Sequence, residues 1–311
     1  MAVAYTDVPH NISDIMPYII TDKDCILSEI FQKQMCFFYD TCSFRRHANL
    51  KVPIAKKLLE YFKQQDGIIV ITRCILMELA SNSGILHQNY IDYIKLCAEY
   101  GIDVLVMYEE DIFDILDVCF STNAVINDHL CWAVRLMKIP VSTITTTLEA
   151  HKNLYDTVIK GKNKDRGSVF TDFFQTVRKN KESGDNLGEE ILAICQYLLS
   201  RLPGERDGKF CIITEDKGAA GKIDALFHQI AKRHQGKKIT LLSTPKLAQI
   251  MFREEIVKGK EELQELLNSG TEGNVVVLGT RIYDIRNRVI SMKSEQLAEL
   301  IIEPNGIHIT F

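Results

Sequence analysis

The chain has 311 residues, 46% of them hydrophobic and 25% charged. That is ordinary globular composition with ample core material, and it excludes a largely disordered or fibrous protein. Lys and Arg number 37 against 41 Asp and Glu, a formal net charge of -4, which excludes a uniformly basic surface for indiscriminate nucleic-acid binding but leaves room for a local basic patch.

The nine cysteines form no CxxC pair and no Cys/His cluster with zinc spacing, so they read as buried thiols in a reducing compartment. The N-terminal MAVAYTDVPHNISD carries no charged-then-apolar leader, and no apolar run reaches the roughly 18 residues of a membrane span. A soluble, cytoplasmic protein without a membrane partner is the expectation. The length exceeds one average domain, and we expect a large α/β domain over 1–255 followed by a small α/β appendage over 256–311.

In chain order, short apolar runs alternate with longer helical patterns, the mark of a parallel sheet covered by helices. The first strand is MCFFY (Met35 to Tyr39), followed at once by Asp40 and Thr41 in YDTCSF and by Arg45 and Arg46. PIAKKLLEYFKQQ opens with Pro53 and spaces Ile54, Leu58, Leu59 and Phe62 along one helical face. GIIVIT (Gly67 to Thr72) is the second strand, and the helix CILMELA after it carries Glu78. HQNYIDYIKLCAEY is helical and stops at Gly101, before the third strand IDVLVM (Ile102 to Met107). Residues 109–182 read as a helical elaboration, with helical spacing in NDHLCWAVRLMK and LEAHKNLYDTVIK, broken by Pro140 and GKNKDRGS. GDNLGEEILAIC begins the helix that feeds the fourth strand, FCIIT (Phe210 to Thr214), and supplies Asp185 and Glu189. Asp216 follows that strand in TEDKGA. KITLL (Lys238 to Leu242) is the fifth strand and STPKLAQIMFRE a final helix. KGKEELQELLNSG then leads into a tail with strand-like VVVLG, RNRVISM and IHITF around a SEQLAELI helix.

Ligands of open parallel sheets bind beyond the carboxyl ends of the strands, where Asp40, Glu78, Glu189 and Asp216 all fall. Each has an ordinary explanation to set beside this. An Asp after a strand is commonly a helix N-cap, Asp185 suits an N-cap for NLGEEILAI, and Glu189 and Glu190 suit the positive end of that helix. Glu78 is harder to explain, because it sits among Ile75, Leu76, Met77 and Leu79, where an unpaired carboxylate is costly to bury.

In order and placement these motifs resemble the PIN-domain nuclease family over about residues 34–250. YDT matches the family's strand-DT motif at Asp40 and Thr41, and ILMELA its helical acid at Glu78. NLGEE matches its third acid at Glu189, with Asp185 as the rival. TED matches its T-x-D motif at Thr214 and Asp216. The long insertion departs from small family members, and the tail lies outside the resemblance. What the resemblance implies is a three-layer α/β/α domain with a five-stranded, mainly parallel sheet. It further implies an endoribonuclease in which Asp40, Glu78, Glu189, Asp216 and the rival Asp185 bind Mg²⁺ or Mn²⁺, directly or through water. Such hard cations take oxygen ligands, ionise a water and neutralise a leaving oxygen. Thr41 and Thr214 are expected to hold a water or phosphate oxygen. RNA contacts are expected from Arg45 and Arg46, and from the basic residues of the insertion, Lys152 to Lys181, whose other reading is a solvated helical surface. A toxin or defence role is also within what the resemblance implies, with a protein inhibitor or a second copy as partner. The tail, which carries none of the acidic motifs, is expected to be dispensable for chemistry.

Other readings find less in the residues. KGAAGKI lacks P-loop spacing, Cys42 stands where a haloacid-dehalogenase phosphatase needs its second Asp, and no glycine-rich dinucleotide fingerprint follows any strand. A non-catalytic PIN-fold RNA-binding or scaffold subunit, and a flap-endonuclease-like DNA nuclease, are the alternatives.

Overall fold

The computed structural model describes residues 5–81, 83–136, 142–165, 167–216, 218, 237–268, 274–282 and 284–311. Pro140, Arg166 and, apart from Gly218, the KGAAGKI stretch lie outside them.

All five expected strands form, as β1 (Met35–Tyr39), β2 (Gly67–Thr72), β3 (Val104–Met107), β4 (Phe210–Ile213) and β5 (Thr240–Leu242). They pair in the order β3-β2-β1-β4-β5, every pair parallel. Every residue of β2, β3 and β4 is buried. Such unbroken burial is what a parallel sheet covered on both faces requires, and it explains why these strands read as continuous apolar runs rather than alternating ones. Two residues assigned to the start of the third strand, Ile102 and Asp103, precede β3. Gly101 stands there at φ +72, a conformation glycine adopts at no steric cost where a helix stops.

The helices around the sheet come from the segment before β1 and the segments between strands. They are α1 (Lys23–Gln32), α2 (Thr41–Ala48), α3 (Val52–Gln64), α4 (Arg73–Leu79) and α5 (Gln88–Glu99). The elaboration between β3 and β4 is built of helices joined by turns. It holds a 3₁₀ turn (Glu109–Asp111), α6 (Ile112–Asp117), α7 (Asn123–Leu136), α8 (Thr143–Ala150), α9 (Lys152–Val158) and α10 (Phe170–Lys179). α11 (Leu187–Leu199) then leads toward β4 and is buried along nearly its whole length. With α3 and α4 against β2, α1 and α5 against β3, and α11 against β4, the arrangement is α/β, consistent with three layers. No helix of the described residues is long and apolar enough to cross a membrane.

The chain enters the sheet at its centre, runs to one edge through β2 and β3, and returns through the helical elaboration to β4 beside β1. The strand order therefore reverses between β1 and β4. In open α/β sheets that reversal opens a crevice at the carboxyl ends, because the loops leaving the two strands part to opposite sides.

After α12 (Thr244–Arg253) the appendage forms from α13 (Lys260–Asn268), β6 (Asn274–Thr280), β7 (Arg288–Lys293), α14 (Ser294–Ile302) and β8 (His308–Ile309). Its antiparallel sheet has the order β7-β6-β8, and β6 alternates between buried and partly exposed residues, as a sheet wetted on one face does. The appendage shares an apolar core with the larger sheet. Polar ties add to this: the Gln249 side chain donates to Ile307 O at 2.8 Å and accepts from Ile309 N at 3.0 Å, and Lys57 pairs with Glu262 at 2.7 Å.

Candidate active site

Asp40 ends β1 and opens α2, and its Oδ1 accepts from Ser43 N at 2.6 Å. It is thus the N-cap that an Asp in this position commonly makes. It is also more than that, because its second oxygen accepts from the hydroxyl of Thr214, at the end of neighbouring β4. Asp40 is 3% exposed. Burial pushes its pKa up to about 6, against the lowering effect of the Ser43 and Thr214 hydrogen bonds and with the help of nearby Glu215.

Glu78, near the end of α4, has both oxygens occupied. Oε2 accepts from the Thr41 hydroxyl and Oε1 lies 3.0 Å from the Lys181 ammonium. Arg45 fixes the same turn by donating from Nη2 to the Glu78 carbonyl at 2.8 Å. The two threonines expected to hold water or phosphate therefore fasten carboxylates instead. α11 comes close here because residue 188 is glycine: a Cβ at Gly188 would stand 2.6 Å from Glu78 Oε1.

Asp185 belongs to the same corner. Its Oδ1 takes Lys181 and the Leu187 N–H at 3.1 Å, and its Oδ2 takes the Glu182 N–H at 2.7 Å. As placed, it is committed to Lys181 and the backbone, which sets it apart from Glu189. Lys181 is also not the exposed phosphate contact that the basic run suggests. Its side chain is 3% exposed, and its ammonium lies 5.3 Å from the Tyr5 ring centre. Burial pulls its pKa down, but Glu78 and Asp185 outweigh that and hold it above the ordinary lysine value.

The consecutive acids of NLGEE separate. Glu190 turns back to cap α8, accepting from Ser142 Oγ at 2.9 Å, Thr143 N at 3.1 Å and Ile144 N at 3.0 Å. Glu189 turns the other way and has no hydrogen-bond or ion-pair partner among the described residues. Its pKa is pushed up to about 7, first by burial and further by the negative charges of Glu78, Asp40 and Asp216, while its own backbone N–H acts in the opposite sense. The four acids from four segments thus share one electrostatic neighbourhood. Asp216 is exposed, with its N–H donating to Thr214 Oγ1 at 3.1 Å and its Oδ1 accepting from Gly218 N at 2.7 Å.

The expected substrate pair, Arg45 and Arg46, divides as well. Arg46 is 8% exposed, pairs with Glu215 at 2.7 Å and donates to Leu267 O at 2.5 Å at the end of α13. Its burial removes it from the expected RNA contacts, while Arg45 stays half-buried beside Glu78. The basic insertion is mostly spent on its own acids. Lys160 and Lys162 pair with Asp156, and Lys164 with Asp128, whereas Lys152 and Lys179 are exposed.

Two buried polar networks support the site. Glu109, fully buried at the end of β3, accepts from Cys74 N at the start of α4 at 2.7 Å and from Arg178 at 2.5 Å; Arg178 also reaches Glu110 and Asp7. The strand-end rule that picks out Asp40 also points to Glu109 and Glu110, but it cannot distinguish an acid met by an arginine from one left unpaired. Behind β1, Tyr39 OH bonds His47 Nδ1 at 2.7 Å, and His47 Nε2 bonds Thr244 Oγ1 at 2.9 Å. Thr244 gives its one hydroxyl proton to Glu215, so the His47 proton sits on Nε2 and Nδ1 accepts from Tyr39. Burial, with Arg46 nearby, drops the His47 pKa to about 3 and keeps the ring neutral.

Among the described residues, no group of three or more His, Cys, Asp or Glu side chains is close enough to hold a metal ion as they stand. The donor set is nonetheless all hard oxygen, and Glu189 has no hydrogen-bond or ion-pair partner among the described residues. Mg²⁺ in particular keeps several waters and is bound through one or two carboxylates, and the oxygen donors here are of that chemical type. Comparison of the chain with family models, with curated proteins and with solved structures returned no match.

Proposed function

We propose that this chain is a metal-dependent endoribonuclease with a PIN-like fold, acting in the crevice between the ends of β1 and β4. The observation that carries the reading is Glu189: a half-buried carboxylate without a hydrogen-bond or ion-pair partner among the described residues, within the influence of the charges of Glu78, Asp40 and Asp216. Leaving such a group unpaired costs stability that a bound cation would restore. Asp40, Glu189 and Asp216 would hold a Mg²⁺ or Mn²⁺ ion directly or through water, with Glu78 alongside. A bound divalent ion of this kind lowers the pKa of a water and neutralises charge on the leaving oxygen. Thr41 and Thr214 orient Glu78 and Asp40, and the burial around Asp40 limits competing water. The half-buried guanidinium of Arg45 and the exposed Lys152 and Lys179 supply positive charge for phosphates. Asp40 and Thr214 sit side by side at the strand-order reversal, where ligands of open parallel sheets bind.

The test is cleavage of single-stranded RNA, structured RNA and single-stranded DNA with Mg²⁺, Mn²⁺ or EDTA, comparing the natural chain with Asp40→Asn. Metal-dependent RNA cleavage lost by about a hundredfold or more in Asp40→Asn is the expected outcome, since an ionised metal ligand is replaced by a neutral one. Binding of RNA without cleavage, unchanged in Asp40→Asn, would identify a binding or scaffold protein. Cleavage confined to DNA would favour the flap-endonuclease alternative.

A further inference from the structure

The carboxylates around the crevice are not partnered alike. Lys181 lies in the segment joining α10 to α11, with its ammonium between Glu78 (3.0 Å) and Asp185 and the Tyr5 ring covering it at 5.3 Å. Its side chain is 3% exposed, so the lysine is built in rather than laid on. The Glu78 oxygen that Lys181 does not touch takes the Thr41 hydroxyl. Gly188 brings α11 close to the same carboxylate, since a Cβ there would stand 2.6 Å from Glu78 Oε1. On the other side, Glu189 has no hydrogen-bond or ion-pair partner among the described residues and feels the charges of Asp40 and Asp216.

We propose that Lys181 takes the place of a second divalent cation, so that the crevice binds one Mg²⁺ or Mn²⁺ ion, on the side of Asp40, Glu189 and Asp216. The inference rests on the metal-binding reading above and concerns how many ions the site takes. Two cations a few ångströms apart repel strongly when only partly solvated, and the Lys181 ammonium already supplies the positive charge between Glu78 and Asp185. Lys181 is a positioning residue here, acting on the metal site through Glu78.

The test counts ions on the full-length chain, by Mn²⁺ titration calorimetry and by the electron paramagnetic resonance signal of free Mn²⁺. One Mn²⁺ per natural chain is expected. Lys181→Met keeps the apolar stem but removes the charge, and should raise the count to two. Lys181→Gln tests the same point with an amide that can still donate to Glu78 and Asp185, in case the methionine variant does not fold. Two ions on the natural chain, or one ion on each folded variant, would overturn the role of Lys181 and leave the metal reading standing. No Mn²⁺ on the natural chain would overturn both, so the two failures are distinguishable.

Discussion

Replacing Arg178 by Met removes a guanidinium that donates to Glu109 at 2.5 Å and to the two oxygens of Glu110 at 2.7 and 2.9 Å, and reaches Asp7 at 3.2 Å. Met keeps most of the apolar stem, so the loss is chiefly electrostatic. Glu109 is fully buried and would be left with backbone N–H groups, those of Cys74 and of Glu109 itself, in place of a charged partner. Glu110 would retain Arg73, at 3.9 Å. Removing one partner of a buried ion pair costs about 3–5 kcal/mol, and at ~2–4 °C per kcal/mol for a large domain this lowers the melting temperature by roughly 6–20 °C. The loss should depend on pH. Burial already raises the Glu109 pKa while Arg178 opposes the rise, so without Arg178 it climbs further. A carboxyl whose folded pKa is raised above its unfolded value destabilises the fold increasingly as pH rises between the two. The deficit of Arg178→Met should therefore be larger at pH 8 than at pH 5. Adding Glu109→Gln removes the stranded charge and should recover part of the loss. Thermal unfolding followed by circular dichroism at both pH values checks this. A melting temperature within about 2 °C of the natural chain at pH 8, which at this size is no more than about 1 kcal/mol, would refute the reasoning. So would a deficit that does not change with pH.

Without divalent ions, Glu189→Gln should stabilise the protein at pH 8 by up to about 3 kcal/mol, at ~1.4 kcal/mol per pKa unit, because the folded pKa of about 7 lies above the unfolded value. The gain should fade as pH drops toward 4 and the natural carboxyl protonates, which melting curves across that range would reveal. Gly188→Ala sets a helix-propensity gain of less than about 1 kcal/mol against a clash at 2.6 Å with a carboxylate held by both Lys181 and Thr41. We expect net destabilisation, and a melting temperature equal to or above that of the natural chain would show that Glu78 moves aside freely. Truncation after residue 255 removes Leu267 O from Arg46 and Glu262 from Lys57, and uncovers the core face that Leu263, Leu266 and Leu267 bury. The shortened chain should show faster hydrogen exchange in α2 and in the Thr214 to Asp216 segment. Unchanged exchange there would mean that the appendage leaves the crevice alone.

Local chemistry made much of this protein legible in one dimension. Unbroken apolar runs mark β1 to β4 because both faces of a parallel sheet are covered. Helical spacing marks the elaboration over 109–182 because each helix buries one stripe. Asp40, Glu78, Glu189 and Asp216 stand out as acids at strand ends or in apolar helices, where a carboxylate requires a reason. What a linear pattern cannot carry is which charges meet. Asp185 and Glu189 are four residues apart and chemically alike, yet one is met by Lys181 and the other by nothing among the described residues. Glu189 and Glu190 leave α11 about 100° apart, and it is Glu190 that meets the start of α8. Arg45 and Arg46 are neighbours, but only Arg46 reaches across 221 positions to Leu267. Periodicity follows from the backbone geometry of a single element and is written in its own residues. Pairing depends on the direction from which another element arrives, and only the packed tertiary structure decides that.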